Sequence, residues 1–189
     1  MEKELISTIR EKIPELTEES SMLIIDKLCR IQEPEFKLPE AHFEYITIDE
    51  FNTKGSSIKP GNIVLDMKKL LINSAEIGLT IAGVISTPYL IPLAALVVWN
   101  KVWSNVKIDL DENHAMTIML MWENRDTTNN KIDEIDAYNL FNQYLKSKNK
   151  NEVILEDFRK VLFDLEKMQC IKKSGTTKWW LREWVKKGI

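Results

Sequence analysis

Apolar positions recur along most of this chain at helical spacing, and polar or proline-bearing gaps divide them into short segments. Leu5, Ile9 and Ile13 fall every four residues, one face of a helix that Pro14 ends. Thr17 is placed to cap a second helix. Its hydroxyl can accept from the orphan amides, and Glu18 and Glu19 suit the positive helix end. That helix carries Ile24, Leu28 and Ile31 on one side. Beyond Pro34 and Pro39, residues His42 to Ile48 (HFEYITI) are aromatic and β-branched and read as a strand. Gly55 and Pro60-Gly61 mark a loop, and Asn62 to Leu65 read as a second short strand.

The middle of the chain breaks this rhythm. From Ile77 to Trp99, 23 consecutive residues carry no charge, bracketed by Glu76 and Lys101. As one helix the run would extend about 34 Å, enough to cross a hydrocarbon layer of ~30 Å, with Trp99 and Trp103 at one end as in an interfacial aromatic belt. Pro88 and Pro92 fall inside it, however, and Ser86-Thr87-Pro88 has the order of a helix stop, a cap and a first-turn proline. The segment then divides into helices over Asp66–Ile85 and Pro88–Ser104, neither apolar enough alone to span a bilayer. Ser74, Gly78, Ala82 and Ser86, spaced by four, form a ridge of small residues that lets another backbone approach closely. Two readings follow: a buried apolar hairpin, or membrane attachment through residues 77–99.

The C-terminal third has the clearest pattern. Asp111 reads as an N-cap, with Leu110 stapling onto Ala115, ahead of a helix in which Ala115, Ile118, Met119 and Trp122 share a face. Met116, Leu120 and Met121 make that helix apolar nearly all round. Residues 124–131 are polar and read as a loop. Ile132-Asp133 repeats the cap-and-staple pattern onto Ala137, and Leu140, Phe141, Tyr144 and Leu145 give the next helix its buried side. After the basic loop KSKNKN, Glu152–Ile154 reads as a short extended piece. Phe158, Val161, Leu162, Leu165 and Met168 then mark a third amphipathic helix. Cys170 to Lys173, the turn Ser174-Gly175-Thr176 and Lys178–Val185 read as a β-hairpin.

Helix, helix, extended piece, helix, hairpin is the order of a winged helix-turn-helix. The stretch VILEDFRKVLFDLEKMQCIKKSGTTKWWLREWV carries the likeness, and residues 109–189 resemble that superfamily. One departure is that Ile154 or Leu155 stands where such a third helix often has Ser or Thr as its cap. The resemblance implies a module for DNA or for protein partners. The third helix offers Glu156, Asp157, Arg159, Lys160, Asp164, Glu166 and Lys167, a mixed-sign set poorly suited to phosphates. The wing and its surroundings are better suited: Lys172, Lys173, Lys178, Arg182, Lys186 and Lys187 interleave with Trp179, Trp180 and Trp184. Strand alternation turns Trp179 and Leu181 to the core and puts Trp180, Arg182 and Trp184 on the other face, where two exposed tryptophans would suggest a protein interface.

Charge and composition narrow the chemistry. The net charge is −3, but residues 1–145 hold 14 basic and 23 acidic side chains, and residues 146–189 hold 12 and 6. The basic end can meet an anionic partner or complement the acidic remainder of the chain. Residues 1–13 lack an apolar core followed by a cleavage site, so the expected setting is cytoplasmic, membrane-associated if 77–99 is an anchor. The two cysteines, Cys29 and Cys170, make neither a disulfide scaffold nor a zinc site. His42 and His114 show no catalytic context, and no nucleotide-loop, metallohydrolase or serine-nucleophile motif is present. Asp133, Glu134 and Asp136 fit a helix start better than a metal site. The expectation is an α+β, predominantly helical chain in three segments. These are a helix-and-strand region over 1–65, an apolar hairpin or anchor over 66–108, and a winged-helix-like unit over 109–189. The expected function is non-catalytic, with no cofactor or metal: binding of a protein partner or self-association, with DNA regulation as the alternative and an enzyme third.

Overall fold

In the computed structural model, which describes residues 2–32, 62–72 and 89–188, helices dominate and two small antiparallel sheets lie among them. Helix α1 (Glu2–Lys12) buries Leu5, Ile6 and Ile9, and Ile13 follows them into the core. Helix α2 (Glu18–Leu28) begins as expected, Ser20 N donating to Thr17 Oγ1 at 3.1 Å. Ile31 leaves its face. The chain becomes extended at Cys29, and β1 (Cys29–Gln32) pairs along β2 (Asn62–Asp66) from Cys29↔Leu65 to Gln32↔Asn62. That pairing satisfies backbone groups that one more helical turn would have satisfied internally. The Asp66 carboxylate then accepts from Lys69 N at 2.8 Å, opening α3 (Met67–Ile72).

Helix α4 (Leu90–Trp99) is the described part of the uncharged run, and every residue in it is buried. It packs against α1, α2 and α3 and against α5 (Glu112–Asn124). A π-helical turn, Asn100–Ser104, closes it and ends on Asn105 in the left-handed region at φ 52°. The Asn100 side chain holds this exit: Nδ2 donates to Val106 O at 2.8 Å, and Oδ1 accepts from Val106 N at 3.1 Å. Trp99, fully buried, donates from Nε1 to Met168 O at 2.9 Å, joining the middle of the chain to its C-terminal part. Among the described residues no helix is long and apolar enough to cross a membrane. The expected strand over His42 to Ile48, residues 77–88, and the ridge of Ser74, Gly78, Ala82 and Ser86 lie outside the described residues.

The C-terminal part runs α5, β3 (Lys131–Asp133), α6 (Glu134–Ser147), α7 (Leu155–Lys167), β4 (Ile171–Ser174) and β5 (Lys178–Leu181), with sheet order β3-β5-β4. Both expected aspartate caps are present. Asp111 accepts from Asn113 N and His114 N, and Asp133 accepts from Ile135 N at 2.9 Å. The expected extended piece at Glu152–Ile154 ends extended at Ile154 (φ −76°, ψ 156°) but joins no sheet, because side chains satisfy its backbone: Val153 N donates to Asn142 Oδ1 at 3.0 Å, and Val153 O accepts from Tyr138 Oη and Asn142 Nδ2. The expected hairpin strand over 178–185 stops at Leu181. The chain then crosses to the first sheet as β6 (Trp184–Gly188), paired with β2 from Trp184↔Asp66 to Gly188↔Asn62. Glu183 pins the crossing. Its carbonyl accepts from Lys68 N at 3.2 Å, and its carboxylate accepts from Lys68 Nζ and Asn130 Nδ2, each at 2.8 Å. One buried apolar cluster extends from Leu5 to Val185, so all three sequence segments contribute to the same core.

Candidate interaction surface

Helix α7 buries Phe158, Leu162 and Leu165, and Ile154 stands at its cap position with no side-chain bond. Its remaining face carries the mixed charges seen in the sequence, and the structure pairs each cation at home. Arg159 Nε donates to Glu134 Oε1 at 2.6 Å, Lys160 Nζ to Asp157 Oδ1 at 2.7 Å, and Lys167 Nζ to Asp164 Oδ1 at 3.2 Å. Glu134 is buried at the start of α6, and its second oxygen accepts from Trp179 Nε1 at 3.1 Å. One carboxylate therefore locks α6, α7 and β5 together. Between the pairs lies Phe163, 55% exposed, with Lys167 Nζ 4.5 Å from its ring centre. Phe163 was missed as a surface residue. The signal was available, since it falls outside the i, i+3, i+4 set that begins at Phe158.

The outer face of the β3-β5-β4 sheet is different. Gly175, at φ 77°, makes the β4–β5 turn with a backbone that side chains rarely adopt. Alternation then buries Trp179 and Leu181 and turns Trp180 outward. Lys131 and Lys172 are its direct cross-strand neighbours, one on each side. The Arg182 guanidinium lies 5.7 Å from the Trp180 ring centre, and Lys178 stands two positions earlier on the same side. No ion pair to Lys131, Lys172, Lys178 or Arg182 occurs among the described residues. Asp133, in register with Lys178 on this face, is occupied as the cap of α6.

Of the six wing residues singled out by sequence, the sheet brings Lys172, Lys178, Trp180 and Arg182 onto one face. Lys173 belongs to the opposite side, its Nζ 5.6 Å from the Trp179 ring centre and its amide donating to Glu166 Oε1 at 3.2 Å. Trp184, 56% exposed, sits on β6 in the other sheet. Lys131 was missed because β3 exists only through its pairing with β5, and the polar letters around it read as loop.

The remaining titratable groups serve the fold. His114 is buried at the start of α5, where Nδ1 lies 2.6 Å from Asp111 Oδ1 and Nε2 lies 3.6 Å from Asp164 Oδ2. Burial pushes the Asp111 carboxyl up, but the His114 ring and the His114 and Asn113 amides outweigh that and hold it below the usual range. Burial pushes the Cys29 thiol up to about 12, with Asp26 adding to the rise, and drives Cys170 further still, so neither is poised as a nucleophile. Among the described residues no group of three or more His, Cys, Asp or Glu side chains could hold a metal ion. Compared with protein-family models, curated proteins and solved structures, the chain matches none.

Proposed function

We propose that the chain is a non-catalytic interaction module, and that residues 109–188 form a winged-helix-like unit that binds a protein partner. The element order α5-β3-α6-α7-β4-β5, with β3 closing onto β5, supports the winged-helix reading, with α7 as its third helix and β4–β5 as its wing. The observation that carries the choice of partner is the internal pairing of Arg159, Lys160 and Lys167. A helix that reads a DNA groove needs its cations free for phosphates and base edges. Here three cations face the unit's own carboxylates, and Phe163 is exposed among them.

A second reading, duplex binding through the wing alone, draws on the unpaired cations around Trp180. Titrating the full-length chain with a generic duplex at low salt separates the two. The protein-binding reading expects no salt-dependent complex. A complex that weakens steeply with salt, and is lost in the double variant Lys172→Glu plus Lys173→Glu, would replace it with the DNA reading.

A further inference from the structure

Four cations surround Trp180 on the outer sheet face; Lys172 and Arg182 form no ion pair among the described residues, while Lys131 and Lys178 share the β3 edge with Asp126 and Asp133, neither within ion-pair distance. Elsewhere in the chain, α2 presents the opposite surface. Ser20, Ser21, Ile24, Ile25 and Leu28 are buried. Glu18, Glu19, Met22 and Asp26 face outward together within about one-third of the helix circumference, and Lys27 is exposed beyond their edge. Met22 is 42% exposed at the middle of this group. Glu18 has only a loose contact to Arg10, at 3.6 Å, while no ion pair to Glu19 or Asp26 occurs among the described residues.

We infer that the sheet face around Trp180 docks the α2 face of a second copy of this chain. Trp180 meets Met22, and Lys131, Lys172, Lys178 and Arg182 meet Glu18, Glu19 and Asp26. The two faces match in sign and in having an apolar side chain at the centre of a charged rim, the arrangement of a small interface core. The charge division of the chain points the same way, acidic before residue 146 and basic after it. An extended peptide joining the sheet at β4 fits less well, because Glu166 already takes the outward amide of Lys173. Nucleic acid fits less well because residues 1–145 are strongly acidic. The contact joins two different surfaces, so it is heterologous and leaves one free face at each end of an assembly. The inference rests on the interaction reading above but is narrower.

Sedimentation velocity on the full-length chain tests it. At low salt the wild type should grow in mass with concentration, and at high salt it should return to monomer. Two double variants, Lys172→Glu with Lys178→Glu and Glu19→Lys with Asp26→Lys, should each weaken association by about tenfold or more. Mixed in equal amounts, they should associate again, because the intact α2 face of one meets the intact sheet face of the other and the two reversed faces also match in sign. The milder Lys172→Ala and Asp26→Ala should shift association the same way if a charge reversal disturbs folding. A wild type that stays monomeric at low salt overturns the inference, as does association indifferent to both pairs, or occupation of the sheet face by a generic duplex. Monomeric behaviour without duplex binding removes only this inference. Duplex binding lost in Lys172→Glu removes the protein-binding reading as well.

Discussion

Helix α7 and the outer face of the wing sheet carry similar numbers of cations and use them in opposite ways. On α7 the charges are consumed by the fold: Arg159 reaches a buried carboxylate, and Lys160 and Lys167 each return to an aspartate three residues earlier. On the sheet the strand register sets Lys131 and Lys172 on either side of Trp180 with no acid between them. Position in the fold, more than count, decides which cations are available to a partner. The helix curls its side chains back over its own acids, whereas cross-strand neighbours are fixed by pairing and cannot choose their company.

Substitutions can break that comparison from either side, and those that touch the shared scaffold should cost most. Trp99→Ala removes a fully buried indole and its bond to Met168 O, so a loss of about 3–5 kcal/mol is expected in chemical denaturation. Glu134→Ala should cost about 2–4 kcal/mol, because it strands the buried Trp179 Nε1 and unties α6 from α7 and β5. Equality with wild type in urea titration would mean that this lock does not bind the unit together.

Glu183 supplies a pH test. The Lys68 ammonium, helped by the Asn130 amide, holds its carboxyl below the usual range. A lowered folded-state value means that the contribution is fully present above the unfolded-chain value and is lost as pH falls through the folded one. Stability should therefore decline below about pH 4, and Glu183→Gln should flatten part of that slope while costing at most about 0.5–1 kcal/mol at neutral pH, because solvent screens this half-exposed pair. An unchanged acid slope in the variant would remove the bridge from the account. Smaller again, Asp157→Asn should lower stability least of all, since its pair with Lys160 is exposed and lies one turn apart on the same helix. Thermal unfolding of the two proteins side by side measures the difference.

What the sequence made legible is what neighbours along the chain decide. Thr17, Asp111 and Asp133 cap helices because a cap needs only the next two or three amides. The faces of α1 and α7 follow from spacing alone. The inward turn of Trp179 and Leu181 follows from strand alternation. Distant pairing was not legible. Lys131 becomes part of a strand only when β5 lies beside it, and residues after Leu181 leave their expected hairpin because β2 offers a free edge near Glu183. Ile31 leaves α2 for the same reason. The uncharged run was ambiguous between lipid and core because an apolar helix looks alike in both. The buried surroundings of Leu90–Trp99 come from α1, α2, α3 and α5, contacts that no local pattern announces.

The contrast between spent and available charge can be measured most directly by urea denaturation of Lys172→Glu plus Lys178→Glu beside Glu134→Ala. Cations that serve a partner and not the fold should leave the sheet variant's midpoint within about 0.5 kcal/mol of wild type while Glu134→Ala falls well below it. If reversing Lys172 and Lys178 unfolds the chain as readily as removing Glu134, the sheet face is structural and its cations are spent on the fold as those of α7 are.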